Sequence, residues 1–110
     1  MNYFQKTINN FLKIKKYFKV KKNNKIDIST NLKNSKIIIK GDKNLVLIKK
    51  SDIKRLKVGI YGENNTLEIY ENCMLRDTNI IIQGNNLRIT IKNNCEIGGA
   101  TIAYIGATGQ

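Results

Sequence analysis

Short runs of alternating apolar and polar residues, broken by Gly and Asn, fill most of this 110-residue chain. Four and two residues ahead of Gly41, Gly62, Gly84 and Gly106 stand the pairs Ile37 and Ile39, Val58 and Ile60, Ile80 and Ile82, and Ile102 and Tyr104. Such alternation predicts a strand with one face buried. Five and seven residues after the Gly come Val46 and Ile48, Leu67 and Ile69, and Ile89 and Ile91. Polar turn formers divide the runs: Lys43-Asn44, Asn64-Asn65 and Asn85-Asn86, then Lys50-Ser51, Glu71-Asn72 and Asn93-Asn94. A third run carries Cys73 and Leu75, or Cys95 and Ile97. Asn and Gly accept left-handed backbone at little cost, so these pairs predict corners.

The frame recurs. Residues 79–99 repeat residues 57–77, so that Gly62 falls on Gly84, Leu67 on Ile89, Ile69 on Ile91, Asn72 on Asn94, Cys73 on Cys95 and Leu75 on Ile97. The anchoring glycines are spaced by 21, 22 and 22 residues. The frame also extends backward, since Asn23-Asn24, Ile26, Ile28 and Leu32 fit it with Lys21 in the Gly position. A fixed period of this size marks stacked repeats. Short strands separated by tight corners cannot pair within one repeat, so each pairs with its equivalent in the next, parallel and in register. The prediction is an all-β fold: a parallel β-helix of about four coils over residues 21–110, about 22 residues per coil, its inward columns made of Ile, Leu and Val. Helical repeats are excluded because nothing here recurs at 3.6, and a leucine-rich repeat because the return segment alternates like a strand. The residues leave the handedness open.

Residues 1–20 differ in kind. Phe4, Ile8, Phe11 and Phe18 share one sector at helical spacing, with Leu12 and Ile14 beside them and Lys6 and Lys13 opposite. This predicts a short amphipathic helix over roughly residues 2–18. The net charge of +12 is concentrated here: residues 1–25 hold eight Lys and no acid. Three uses stand open: plugging the end of the solenoid, lying on an anionic membrane or glycan surface, and binding nucleic acid, for which no recognition motif is present. No run approaches the ~20 apolar residues of a membrane span, and Lys interrupts any secretory apolar segment. A cytoplasmic protein, peripheral to the inner membrane face, is the expectation.

Candidate chemistry is sparse. Cys73 and Cys95 occupy equivalent inward positions one coil apart; free thiols filling a small site are favoured over a disulfide, which would be poorly aimed. Two Cys and no His make neither a metal set nor a nucleophile–base pair. Glu63, Glu68, Glu71, Asp77 and Glu96 are assigned to corners or outward positions as surface charge, Glu68 pairing with Arg88 or Lys92. Thr66, Thr78, Thr90 and Thr101 read as outward without forming a ladder. Lys49, Lys50, Lys54, Arg55 and Lys57 cluster in the second coil, as a contact for anionic glycan or lipid headgroups or as a solvated corner. Gly98-Gly99 reads as a corner, because no helix follows to bind phosphate. No catalytic residue is assigned.

Residues 69–74 (IYENCM) and 91–96 (IKNNCE) form a six-residue unit: aliphatic first, Cys fifth, and the next aliphatic six on, at Leu75 and Ile97. Another unit starts at Ile97-Gly98-Gly99-Ala100-Thr101. Together with the phrase NNLRITIKNNCEIGGATI, this resembles the hexapeptide-repeat acyltransferases, in particular the early coils of bacterial O-acetyltransferases acting on capsular or lipopolysaccharide sugars, over roughly residues 57–110. The resemblance implies a left-handed β-helix, acetyl-CoA as co-substrate, a surface polysaccharide as acceptor, a homo-oligomer and no metal. It also implies a His as general base, and this chain contains none. The expectation is therefore the first part of such an enzyme, ending ahead of the catalytic coils, and inactive as it stands. The competing expectation is a non-catalytic solenoid for self-association or for binding anionic glycan or membrane, with no specific nucleic acid partner.

Overall fold

The structure is a computed structural model describing residues 18–20 and 23–106. Eleven strands follow one another: β1 (Phe18–Val20), β2 (Lys25–Ile28), β3 (Leu32–Lys33), β4 (Lys36–Lys40), β5 (Leu45–Ile48), β6 (Asp52–Tyr61), β7 (Thr66–Ile69), β8 (Met74–Gln83), β9 (Arg88–Ile91), β10 (Glu96–Gly98) and β11 (Thr101–Ile105). Every pairing is parallel and joins a strand to its counterpart one coil away. The chain is a parallel β-solenoid of about four turns. Leu67 lies beside Ile89, and Ile80 beside both Val58 and Ile102, as stacked 22-residue segments require.

The coil has three faces. The first consists of β1, β4, β11 and the second halves of β6 and β8. The second is the sheet β2-β5-β7-β9. The third is formed by β3, β10 and the first halves of β6 and β8. Where three separate short strands per coil are expected, two coils instead carry ten-residue strands, β6 and β8, that run through a corner. The bend falls at Arg55 and Asp77, whose φ values are 53° and 50°, and the same column holds Asn34 at 51° and Gly99 at 66°. One left-handed residue suffices to swing the strand onto the next face while pairing resumes on either side of it.

The predicted helix over residues 2–18 lies outside the described residues except for its last position. Phe18 begins a strand, and Phe18, Lys19 and Val20 pair with Ile37, Ile38 and Ile39. The ladder therefore starts ahead of residue 21.

Inward columns form the core. Ile37, Val58 and Ile80 stack in register, as do Ile39, Ile60 and Ile82, Val46 and Leu67, Ile48, Ile69 and Ile91, and Ile53 and Leu75. All are buried. Each large aliphatic chain removed from water contributes about 1.5–3 kcal/mol, and the parallel register brings like shapes together. Toward the last described coil the cover thins: Ile89, Ile97 and Ile102 are half-buried, Tyr104 is 44% exposed and Ile105 63%.

The corners hold the coils in register. The sequence pattern counts Asn44 and Asn65 as solvent-facing turn formers; they are turned inward and buried at 1% and 0% exposure. Asn65 Nδ2 donates to the Gly84 carbonyl at 2.8 Å, and its Oδ1 accepts from Leu87 N at 2.9 Å. Asn44 repeats this one coil earlier, donating to the Gly62 carbonyl at 2.9 Å and accepting from Asn65 N at 2.9 Å. Asn24 does so again, toward Gly41 and Asn44. These links join residues 20, 21 and 22 apart, so the coil lengthens along the solenoid while the ladder persists. A second corner uses smaller groups: Ser51 Oγ donates to the Tyr70 carbonyl and accepts from Cys73 N. At the third, Ser35 Oγ accepts from Leu56 N at 3.1 Å. Beside the ladder the corners approach so closely that a Cβ on Gly62 would lie 1.8 Å from the Gly84 carbonyl oxygen. Only glycine fits there.

Replacing Asn65 by Ala strands the Leu87 N–H and the Gly84 carbonyl. We expect a loss of about 2–4 kcal/mol in denaturant unfolding. Asn86→Gly, at an exposed residue with φ 60°, should cost less than about 1 kcal/mol. Equal losses at the two positions would show that the ladder is not what holds the coils.

Candidate functional site

The eight acids of the sequence are distributed unevenly around the coil. Asp27 and Glu68 point outward from the second face, and Asp52 and Glu96 from the third. Asp42, Glu63, Glu71 and Asp77 stand at corners. The strands of the first face carry none. Their outward positions are Lys36, Ile38 and Lys40 on β4, Lys57, Gly59 and Tyr61 on β6, Asn79, Ile81 and Gln83 on β8, and Thr101, Ala103 and Ile105 on β11.

The third face and its corner are knit by ion pairs. Arg76 holds Asp52 with two hydrogen bonds, Nη1 to Oδ1 at 3.0 Å and Nη2 to Oδ2 at 2.7 Å. Arg55 grips Asp77 one coil away through Nε and Nη2. Glu68 pairs with Arg88 at 3.7 Å, the first of the two partners anticipated for it. Asp52 and Asp77 both titrate below their ordinary 3.8, chiefly because a guanidinium hydrogen-bonds each carboxylate. Arg76 and Arg55 are correspondingly raised by their aspartates. The Asp52, Asp77 and Arg55 side chains are a little over half exposed and that of Arg76 about a quarter, so water and salt screen much of the attraction.

The basic cluster read from the second coil is dispersed by the fold. Lys49 and Lys50 sit at the second corner, Lys54 on the third face, Arg55 at the third corner in its ion pair, and Lys57 on the first face. Strand alternation and the bend at Arg55 send neighbours in sequence to different sides. Thr78, read as outward, is fully buried; its Oγ1 donates to the Arg76 carbonyl at 3.0 Å, because the bend at Asp77 turns it inward. Cys73 and Cys95 are free thiols, Cys73 buried and Cys95 half-buried. The Cys73 Sγ donates to the Lys92 carbonyl at 3.2 Å, serving its corner much as Ser51 does. Among the described residues no group of His, Cys, Asp and Glu is placed to hold a metal ion, and no helix is long and apolar enough to cross a membrane.

The described residues enclose two open concavities of note. One, about 1050 Å³ and open, follows the second corner and third face past Lys33, Lys50, Asp52, Asn72 and Glu96. Its Asp52 is occupied by Arg76, and its buried Cys73 thiol is turned to the backbone carbonyls of Glu71 and Lys92. The other, about 430 Å³, lies on the first face over Ile38, Gly59 and Ile81, rimmed by Lys36, Lys57, Tyr61, Asn79 and Thr101. The Tyr61 ring fills the room Gly59 leaves: a Cβ there would meet Tyr61 Cε2 at 2.9 Å and the hydroxyl at 3.0 Å. The end of the ring thus lies above Gly59, and Tyr61 is 38% exposed. No periodicity in the sequence marks this pair, since Gly59 and Tyr61 occupy ordinary outward positions.

The geometry defines a parallel β-solenoid with one acid-free, lysine-rimmed face. Comparison of the chain with protein-family models, characterised proteins and solved structures finds no match.

Because folding lowers the pKa of Asp52 and Asp77, their stabilisation is present above 3.8 and lost as pH falls through the folded-state values. The melting temperature should drop between about pH 5 and pH 2 in the wild type. The drop should be shallower in Asp52→Asn/Asp77→Asn and in ~1 M salt. An identical acid profile in the double variant would remove the ion pairs from the account.

Proposed function

We propose that the chain forms the early coils of a sugar O-acetyltransferase of the left-handed β-helix type, with acetyl-CoA as donor and a surface polysaccharide as acceptor. One observation carries the reading. The six-residue units at 69–74 and 91–96 stack in register, Ile69 on Ile91 and Leu75 on Ile97, with Cys73 and Cys95 at the same corner. Enzymes of that kind align such units to build a rigid wall along which acceptor and donor meet, and they work as homo-oligomers. The wall here is long and parallel, and among the described residues no buried side-chain nitrogen or oxygen lacks a partner. The basic stretch 1–25 suits a place at the inner membrane face, where polysaccharide precursors are assembled.

The general base of such transfer is a His, which these 110 residues do not contain. The purified chain should therefore form no productive complex and release no free CoA thiol from acetyl-CoA in a thiol-trapping assay; steady release would overturn that assignment of the base. The cellular test is deletion of the encoding gene. We expect the O-acetyl methyl resonance of the surface polysaccharide to disappear from its proton NMR spectrum. An unchanged acetyl content would sink the acetyltransferase reading in favour of a non-catalytic binding module.

A further inference from the structure

We propose that the first face is a binding surface for a strand of acidic polysaccharide, laid along the solenoid axis and stacked on Tyr61. The choice of a glycan among acidic polymers rests on the function proposed above; the anionic character of the ligand rests on the face alone.

Charge comes first. Lys36, Lys40 and Lys57 point outward from adjacent strands with no carboxylate on the same strands' first-face segments. None of the three takes part in the salt bridges of the described residues, all of which lie on other faces and corners. All eight acids lie on the other faces and corners, where three of them pair with Arg55, Arg76 and Arg88. Lys36 and Lys57 stand on the rim of the groove and Lys40 farther along β4 on the same face, and ammonium groups so placed favour a polyanion. Lys36 and Lys57 are register partners, so their backbones stand about 4.8 Å apart. That spacing lets two amines engage successive negative groups of one chain.

Shape comes second. The outward column Ile38, Gly59, Ile81 runs parallel to the axis, and Gly59 opens a trough in it. The outer end of the Tyr61 ring reaches over that trough, and the residue is 38% exposed. A flat, amphipathic aromatic surface suits the C–H face of a pyranose, while the Tyr61 hydroxyl, Asn79 and Thr101 offer donors and acceptors for its hydroxyls. Asn79 Nδ2 already donates to Thr101 Oγ1 at 3.4 Å, a long bond readily exchanged for one to a sugar.

Other polyanions fit less well. A membrane surface calls for a set of protruding apolar side chains; Ile38 and Ile81 form the floor beneath the rim and are only half exposed, and the one strongly exposed aliphatic residue of the face among the described residues, Ile105, stands at its end outside the trough. Single-stranded nucleic acid calls for successive stacking platforms and arginines, and this face presents one aromatic ring beside the trough and no Arg.

The experiment titrates the full chain with oligogalacturonate and with its methyl ester, which removes the charge and keeps the ring, by isothermal calorimetry. The wild type should bind the acid form about tenfold more tightly than the ester. Lys36→Gln/Lys57→Gln and Tyr61→Ala should each weaken binding about tenfold or more. Lys25→Gln, on the second face, should leave it unchanged, with circular dichroism confirming the fold in every variant. Because residues 1–25 keep all their lysines in the face variants, equal binding by wild type and Lys36→Gln/Lys57→Gln would overturn the proposal. So would equal affinity for acid and ester. A single-stranded DNA oligonucleotide and phosphatidylserine vesicles serve as competitors; preferential binding of either through Lys57 and Tyr61 would also defeat it. Calorimetry reads no acetyl transfer, so loss of this proposal leaves the deletion phenotype standing, and the reverse.

Discussion

Buried amide and hydroxyl groups at the corners are what allow this chain to stack. A coil that turns three times in about 22 residues must break its strand pairing at each corner, and broken pairing leaves backbone N–H and C=O groups facing a dry interior. Asn24, Asn44 and Asn65 answer this at one corner by bridging each coil to the next. Ser51 and Cys73 do so at the second and Ser35 and Thr78 at the third. Each side chain satisfies groups that its own coil cannot reach. The aliphatic columns supply most of the favourable energy, but greasy columns alone permit slippage of one coil over another. The ladder fixes the register because an asparagine displaced by one residue would meet an apolar neighbour.

At the last described coil the ladder position is Leu87, whose Cδ1 packs near Gly84 and Gly106. Asn65 still binds the Leu87 N–H, yet Leu87 has no amide to pass the pattern onward. Polar registration thus gives way to apolar contact at this corner, while Cys95 and Ala100 continue the small residues of the other two. The solenoid changes character along its axis, from coils tied by amides to coils held by fit.

Its faces differ as much as its coils. Two of them and their corners carry guanidinium–carboxylate pairs, and those pairs also tie adjacent coils together on the outside. The remaining face leaves its lysines without acids and lays a tyrosine across a glycine trough. A rigid sheet of this kind holds such groups at spacings set by the ~4.8 Å strand repeat rather than by flexible loops. That is the physical property a solenoid brings to recognition of another repeating polymer.

The alternation around Gly41, Gly62, Gly84 and Gly106, and the recurrence of Leu67 as Ile89 and Ile69 as Ile91, were enough to determine the solenoid, the parallel register and nearly every inward aliphatic residue. These are one-dimensional properties: period two fixes which side faces in, and a period near 22 fixes the residue stacked above. Tertiary structure alone decided the corners and the surfaces. Asn44 and Asn65 have the look of solvent-facing turn residues, because composition cannot show whether a polar side chain at a bend points to water or to the next coil's backbone. Thr78 and the lysine run from Lys49 to Lys57 are misplaced by the linear pattern because a single left-handed residue, Arg55 or Asp77, rotates the rest of its strand onto another side. The acid-free face emerged only when residues 21 and 22 apart were brought side by side, since charges far apart along the chain become neighbours only through stacking.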